Sequence, residues 1–250
     1  MPVLLAALLL AGCNNDNKVI MKGAFTVPAE GMVYLDQSEV DRSTRVDSTE
    51  IKRGRFKFVT EVTGPEFYQL RFPGNEFVAL LVMPGENISL ELGKTPVAMN
   101  YTVQGSPGSA DIRLLDQQLL VTKTRLDSVR NIYNALSIDD LAVRGPELQK
   151  TYTEAVEAQR KFNIKFVVEH ISSMSSIQAL YQRLDENTYV LYQPRDLQYL
   201  KIVSDSLSVR YPVSRHVRAL KENVTSELNQ MYIDRISDLA MQLPETKSSP

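Results

Sequence analysis

The first part of the chain carries short apolar segments that turn residues separate at intervals of about ten positions. Within a segment the apolar side chains alternate, so that Phe56 and Phe58 fall on one side of an extended strand. Gly54, Pro73-Gly74 and Pro84-Gly85 mark turns between segments. Segments of this kind cover 19–25, 31–35, 55–59, 67–72, 77–82, 87–92 and 101–103. The pattern predicts an antiparallel β-sandwich or meander.

From Ser109 onward the apolar positions recur every three or four residues, which indicates helices. One stripe runs through Ile112, Leu115, Leu119, Thr122, Leu126, Val129, Tyr133 and Leu136, and a second through Leu148, Tyr152, Ala155, Phe162 and Phe166. Gly145 is predicted to end a loop and Pro146 to open the second helix. A short connection favours an antiparallel helix hairpin, and a coiled-coil seam for dimerisation is the alternative. Shorter helices are predicted over 176–184, 194–209 and 214–243.

The two patterns together predict an α+β chain in which the β region precedes the helical region. The boundary is predicted between residues 106 and 107, which gives a β-sandwich-like domain over 14–106 and a helical region over 107–243. The polar, proline-bounded tail 244–250 is predicted to be a linker.

The N-terminus has the pattern of a lipoprotein signal peptide over residues 1–13. An apolar run from Val3 to Ala11 ends in Leu10-Ala11-Gly12-Cys13, and a polar stretch follows at once. Small residues before Cys13 would let a signal peptidase approach the backbone, and the thiol would carry the lipid. The pattern predicts a lipidated Cys13, a membrane partner through that lipid, and a place in the cell envelope. The alternative is a buried N-terminal strand or helix with an incidental cysteine. Because no Lys or Arg precedes the apolar run, we also expect a misassigned start or a missing N-terminal piece.

The charge and the cysteine and histidine content of the chain argue against several classes of function. The formal net charge of −2 over 250 residues gives no electrostatic basis for nucleic-acid binding. Cys13 is the only cysteine, and His170 and His216 have no metal-ligand spacing around them. We therefore predict no internal disulfide, no metal, no cofactor and no catalytic residue.

The remaining polar motifs have structural explanations. Gly105-Ser106-Pro107-Gly108-Ser109 lacks a following Lys, and is interpreted as a joining loop with Ser106 or Ser109 capping the next helix. The acidic pairs in 47–50 and 139–140 suit turns and caps, and His170 suits a helix C-terminus. Tyr181, Tyr189, Tyr192 and Tyr199 could line a peptide or glycan groove, or could fill gaps between short helices.

The order of motifs in the β region resembles a known family. The motifs are Lys22-Gly23-Ala24-Phe25, Gly31-Met32-Val33-Tyr34-Leu35, Val46-Asp47-Ser48-Thr49, Gly54-Arg55-Phe56-Lys57-Phe58, Phe67-Tyr68-Gln69-Leu70, Gly85-Glu86-Asn87-Ile88 and Val103-Gln104-Gly105-Ser106. This order resembles a domain of unknown function, of the DUF4369 type, found at the N-terminus of many Bacteroidetes lipoproteins. The resemblance implies a thioredoxin-like domain beyond Pro250 as a partner, within a membrane-anchored thiol-disulfide oxidoreductase.

No residue of this chain matches the redox motif of such proteins, because a C-x-x-C pair needs two cysteines. The sequence therefore predicts an accessory module that anchors, spaces and docks a redox domain or its protein substrates, and is not catalytic by itself. The alternatives are a stand-alone envelope lipoprotein that binds a peptide or glycan, and, more weakly, an enzyme with an unrecognised carboxylate site.

Overall fold

The computed structural model describes the backbone of residues 17–242, with side chains described up to residue 233. The strands are β1 (Lys18–Phe25), β2 (Met32–Ser38), β3 (Ser43–Glu50), β4 (Arg55–Glu61), β5 (Glu66–Arg71), β6 (Phe77–Val82), β7 (Asn87–Leu92) and β8 (Tyr101–Gln104). The helices are α1 (Pro107–Ala135), α2 (Ile138–Glu169), α3 (Ser175–Tyr181), α4 (Leu197–Arg210) and α5 (Arg215–Gln242). The predicted α+β class, with strands first and helices second, is confirmed. Cys13 and the segment 244–250 lie outside the described residues.

The eight strands form two four-stranded sheets, with order β4-β1-β7-β8 in the first and β3-β2-β5-β6 in the second. Neighbouring strands are antiparallel except β1 and β7, which pair in parallel. Strand β3 is the strand that the apolar pattern did not predict. Val46 is its one apolar residue, and it pairs with β2 at the edge of its sheet, so no apolar stripe marks it.

The core of the sandwich lies between the two sheets. Its fully buried side chains include Met21, Phe58, Leu35, Leu70 and Ile88. Gly23 makes room for one of the large rings, because a Cβ there would lie 2.1 Å from the ring of Phe56.

Helices α1 and α2 pack side by side, and residues further along α1 contact residues earlier in α2. Thr122 bonds to Gln159 at 2.6 Å, Leu126 and Ala155 share a cluster, and Asp111 faces His170 at the other end. The start of α2 differs from the prediction at Pro146, which lies inside this helix. Ser137 caps α2 well before Pro146 by accepting a hydrogen bond from Asp140 N, so the helix has formed before the proline is reached.

The helices form a third layer on the outer face of the second sheet. Phe67 and Leu81, on β5 and β6, belong to the same buried cluster as the apolar faces of the helices. The order of layers is therefore first sheet, second sheet, helices, and the outer face of the first sheet stays open.

The N-terminus of α1 is attached to the free edge of β6. Ser106 Oγ and Ser109 Oγ both donate to the carbonyl oxygen of Leu81, at 3.1 and 2.9 Å. Ser106 Oγ also accepts from Ser109 N and so caps α1, as the sequence predicts. Gly108 permits the approach, because a Cβ there would lie 2.9 Å from Leu81 Cδ2. The edge carbonyl is thus covered by the helix that follows.

Two N-cap serines allow this attachment to be tested. Ser106 is buried and bonds both to its own helix and to the Leu81 carbonyl oxygen, whereas Ser137 is exposed and bonds to Asp140 of its own helix. We expect Ser106→Ala to lower the free energy of unfolding by about 1.5–3 kcal/mol and Ser137→Ala by about 0.5–1 kcal/mol. Urea unfolding measures both, and an equal loss in the two variants would show that the bond to Leu81 adds nothing.

Candidate functional site

A groove runs along the junction between the second sheet and the helices, and has two hollows. The first has a volume of about 480 Å³ and opens between the β2–β3 turn, the outer face of β5 and β6, and helices α3 and α5. Apolar residues form its floor: Val40, Phe67, Ala79, Ile177, Ala219 and Leu220. An ion pair between Arg215 and Glu39, at 3.4 Å, joins α5 to the β2–β3 turn at the rim.

The second hollow continues along α5 and has a volume of about 600 Å³. Its apolar residues are Leu180, Leu191, Leu197, Leu200 and Met231. Its polar residues include Gln193, Asp196 and Glu227. The ring of Tyr192, on the loop that follows α3, also lines this hollow and is 55% exposed.

Tyr181, Tyr189 and Asn223 are shared by both hollows and form a ridge between them. Tyr181 donates its hydroxyl hydrogen to Asn223 Oδ1 at 3.0 Å, and its ring meets that of Tyr189 edge to face at 6.4 Å. Burial raises the pKa of Tyr181 to about 12. The phenol therefore remains a neutral donor at physiological pH.

The loop between α3 and α4 is held in place by bonds within itself. Val190 N donates to Gln182 O at 2.9 Å and Leu184 N to Thr188 O at 2.8 Å. The side chains of Leu184 and Val190 are buried against α1 and α2. At the end of the loop Asp196 forms a buried ion pair with Arg160 of α2. This loop presents Tyr189 and Tyr192 to the groove from a fixed base.

Arg183 gives the rim a cation that covers one of the aromatic rings. Its guanidinium lies 4.3 Å from the centre of the Tyr189 ring, and its NH2 group donates to the Tyr189 hydroxyl. An extended bridge also pairs Arg183 with Tyr189 along the backbone.

His216 lies on the wall of the first hollow, against Phe67. The two rings meet edge to face at 5.0 Å. Burial lowers the pKa of His216 below its ordinary value, although the nearby carboxylates of Glu66 and Glu39 oppose the effect. His216 is therefore neutral near pH 7 and offers a polar edge in a mostly apolar wall.

A chain of buried polar side chains supports the groove from below. Thr122 donates to Gln159, Gln159 to Asn163 at 2.8 Å, and Asn163 to Gln182 at 2.9 Å. These bonds join α1, α2 and the first residue after α3. Hydrophobic periodicity does not reveal these hydrogen bonds. The sequence signal that points to them is a Gln and an Asn four residues apart, at 159 and 163, on the apolar side of a helix.

A second contact from α1 fixes α3. Gln178, which lines the first hollow, donates its amide to Asp116 Oδ1 at 3.0 Å. Burial raises the pKa of Asp116, and the bond from Gln178 offsets part of that effect.

The other sequence-selected residues lie elsewhere. Tyr199 packs against the helical cluster and lines neither hollow. His170 stacks on Phe166 at 4.1 Å at the end of α2, with Nδ1 2.9 Å from the Phe166 carbonyl oxygen. Residues 47–50 belong to β3 and not to a turn, whereas Asp139 and Asp140 lie in the first turn of α2, which begins earlier than predicted.

The described residues hold neither a metal-ligand cluster nor a membrane-spanning helix. Among them, no group of three or more His, Cys, Asp or Glu side chains is placed to hold a metal ion. None of the helices in that part of the chain combines the length and apolar character needed to cross a membrane.

A family model described as a domain of unknown function, DUF4369, matches residues 19–112. The resemblance of the β region to this family is thereby confirmed. The match begins in β1 and ends in α1, so the matched region spans the sandwich and the attachment of α1 to β6. Most of the groove residues lie outside it, on α3, α5 and the loop between α3 and α4. No curated protein matches the sequence.

The support of α3 by Asp116 predicts a pH-dependent stability difference. A carboxyl whose pKa is raised on folding stabilises the fold most below its ordinary pKa of 3.8, and this contribution is lost as pH rises through the folded pKa. We therefore expect Asp116→Asn to gain stability relative to the natural chain between about pH 3 and about pH 7. Thermal unfolding of both chains measures the difference. A difference in stability between the two chains that stays constant over this pH range would contradict a raised pKa at Asp116.

Proposed function

We propose that this chain is a non-catalytic docking module of an exported protein that is lipid-anchored at Cys13, and that its groove holds a segment of a partner polypeptide. The observation that carries the proposal is the groove itself: two apolar hollows in series, separated by a ridge of tyrosines, on a base fixed by buried hydrogen bonds. Pre-formed concave sites with a few placed polar groups are typical binding sites.

The chemistry of the hollows favours polypeptide over sugar. Their floors are aliphatic, with Ile177 and Leu220 in the first and Leu200 and Met231 in the second. Aliphatic hollows suit the apolar side chains of a peptide, and Met adapts to different ones. The tyrosine hydroxyls and Asn223 on the ridge between the hollows would bond to the peptide backbone.

The role beside a catalytic partner follows from the cysteine count. Because Cys13 is the only cysteine, this chain has no C-x-x-C pair of its own. In the arrangement that the family resemblance implies, a thioredoxin-like domain after Pro250 would supply the thiol chemistry. The groove would then hold either that domain or the protein substrate on which it acts.

A glycan is the second candidate ligand. Tyr192 favours it, because a largely exposed ring at a groove edge can stack on the apolar face of a sugar.

Binding can be measured with a permanently unfolded, carboxymethylated protein carrying a fluorescent label. We expect Tyr192→Ala to weaken its binding more than about fivefold, because aromatic anchors dominate such interfaces. Tyr133→Ala is the matched control, since Tyr133 is 49% exposed on α1 and lines neither hollow.

Equal affinities of the two tyrosine variants would contradict binding in the groove. If a chitin-derived oligosaccharide bound in a Tyr192-dependent way and the unfolded protein did not, the glycan would replace the peptide as the ligand.

The anchor has its own test. We expect metabolic labelling with a fatty acid to mark the chain and the protein to sediment with membranes, because acyl chains at Cys13 would hold it there. Cys13→Ser should abolish both. Unchanged sedimentation of that variant would contradict the anchor without affecting the groove.

A further inference from the structure

The open face of the first sheet carries a group of cations. Alternate residues of β1 and β4 point outward there, which places Lys22, Arg55 and Lys57 side by side. Lys52, just before β4, extends the group. All four side chains are exposed.

This group, called the basic face below, is unusual because its charges are unneutralised. Among the residues that the structure describes, none of the four side chains has an ion-pair partner, and the register places Lys22 directly opposite Lys57. Like charges opposite each other in a sheet repel, so their proximity favours an external anion.

The basic face surrounds a shallow hollow of about 570 Å³, lined by all four cations together with Thr49, Ser89 and Glu50. Glu50 is the one carboxylate among its lining residues, and Glu91 lies next to Ala24 on β7. The four cations therefore outnumber the neighbouring carboxylates, in a chain whose formal net charge is −2.

The short segment between Cys13 and β1 limits how far this face can lie from a membrane that holds a lipid on Cys13. Asn17 is held at the start of β1, where its carbonyl oxygen accepts from Val62 N at 2.9 Å. Four residue steps separate Cys13 from Asn17, and an extended chain spans at most about 3.6 Å per residue. A lipid on Cys13 would thus keep the first sheet within about 15 Å of the bilayer surface.

We propose that the basic face lies against an anionic phospholipid surface, with headgroup phosphates at Lys22, Lys52, Arg55 and Lys57. The inference rests on the proposed anchor at Cys13 for the short tether, and on charge complementarity for the face. Exposed cations near an anionic leaflet are attracted to it within about one Debye length. Val59, 46% exposed beside Ile20 on the same side of the sheet, adds an apolar contact.

Docking in this way orients the groove. The helices cover the second sheet on the side opposite the basic face. The groove would therefore lie on the side of the molecule away from the membrane, within reach of partners in the aqueous compartment.

The test uses the full acylated chain with a fluorophore on Val59→Cys, which is the only free thiol once Cys13 is acylated. The chain is reconstituted in vesicles that carry a headgroup quencher, made either of phosphatidylcholine alone or with phosphatidylglycerol. We expect stronger quenching in the vesicles that contain phosphatidylglycerol, and we expect high salt to abolish this additional quenching. A probe at Val209→Cys, 85% exposed on α4, should be quenched by neither membrane.

Charge reversal gives the matched comparison. We expect Lys22→Glu with Lys57→Glu to lower the ratio of docked to undocked protein by at least about fivefold per cation removed. Lys161→Glu with Lys221→Glu makes the same change in net charge on exposed positions of α2 and α5, and should leave quenching unchanged.

Three results would overturn the proposal: equal quenching in the two lipids, no effect of the β-sheet reversal, or quenching at Val209 in place of Val59. If Cys13 proved not to be acylated, it would be replaced by Ser and the same chain titrated with added vesicles. Quenching at Val59 that depends on phosphatidylglycerol would then still support the basic face, and its absence would overturn it.

Discussion

The attachment of α1 to the edge of β6 is the contact on which the rest of the molecule depends. A free carbonyl at a sheet edge can pair with another chain, and here two serine hydroxyls reach the Leu81 oxygen. Gly108 lets the helix backbone approach closely enough for both bonds. Because α1 leaves the sandwich at this point, its apolar side must face the outer surface of the second sheet. The position of every later helix follows from that direction.

The groove is a consequence of the same packing. Helix α3 packs on α1, while α5 packs on α4 and meets Phe67 through His216, and the space that they leave beside the β2–β3 turn is the first hollow. Buried amides and Asp116 fix α3 against α1 and α2. Buried hydrogen bonds between side chains favour one arrangement of the elements that they join. The tyrosines of the following loop are therefore presented from a defined position.

The sequence predicted what depends on local periodicity and missed what depends on distant partners. Alternation and the three-four stripes located seven strands and the main helices, and Ser106 was recognised as a cap. Strand β3 was missed because it has a single apolar residue, Val46, and is held mainly by pairing with β2. Pro146 was misplaced because the capping by Ser137 acts several residues earlier. Tyr181, Tyr189 and Tyr192 meet at the groove, whereas Tyr199 packs half-buried against the helical cluster, and local sequence does not distinguish the two positions.

The central claim is that the groove between the helices and the second sheet holds a segment of polypeptide. Hydrogen exchange of the full chain, with and without an unfolded carboxymethylated protein, tests it most directly. The account predicts slower exchange in residues 181–197, in the part of α5 that contains Asn223, and at the β2–β3 turn, with the outer strands β4 and β1 unchanged. Protection confined to the first sheet, or no protection anywhere, would contradict it.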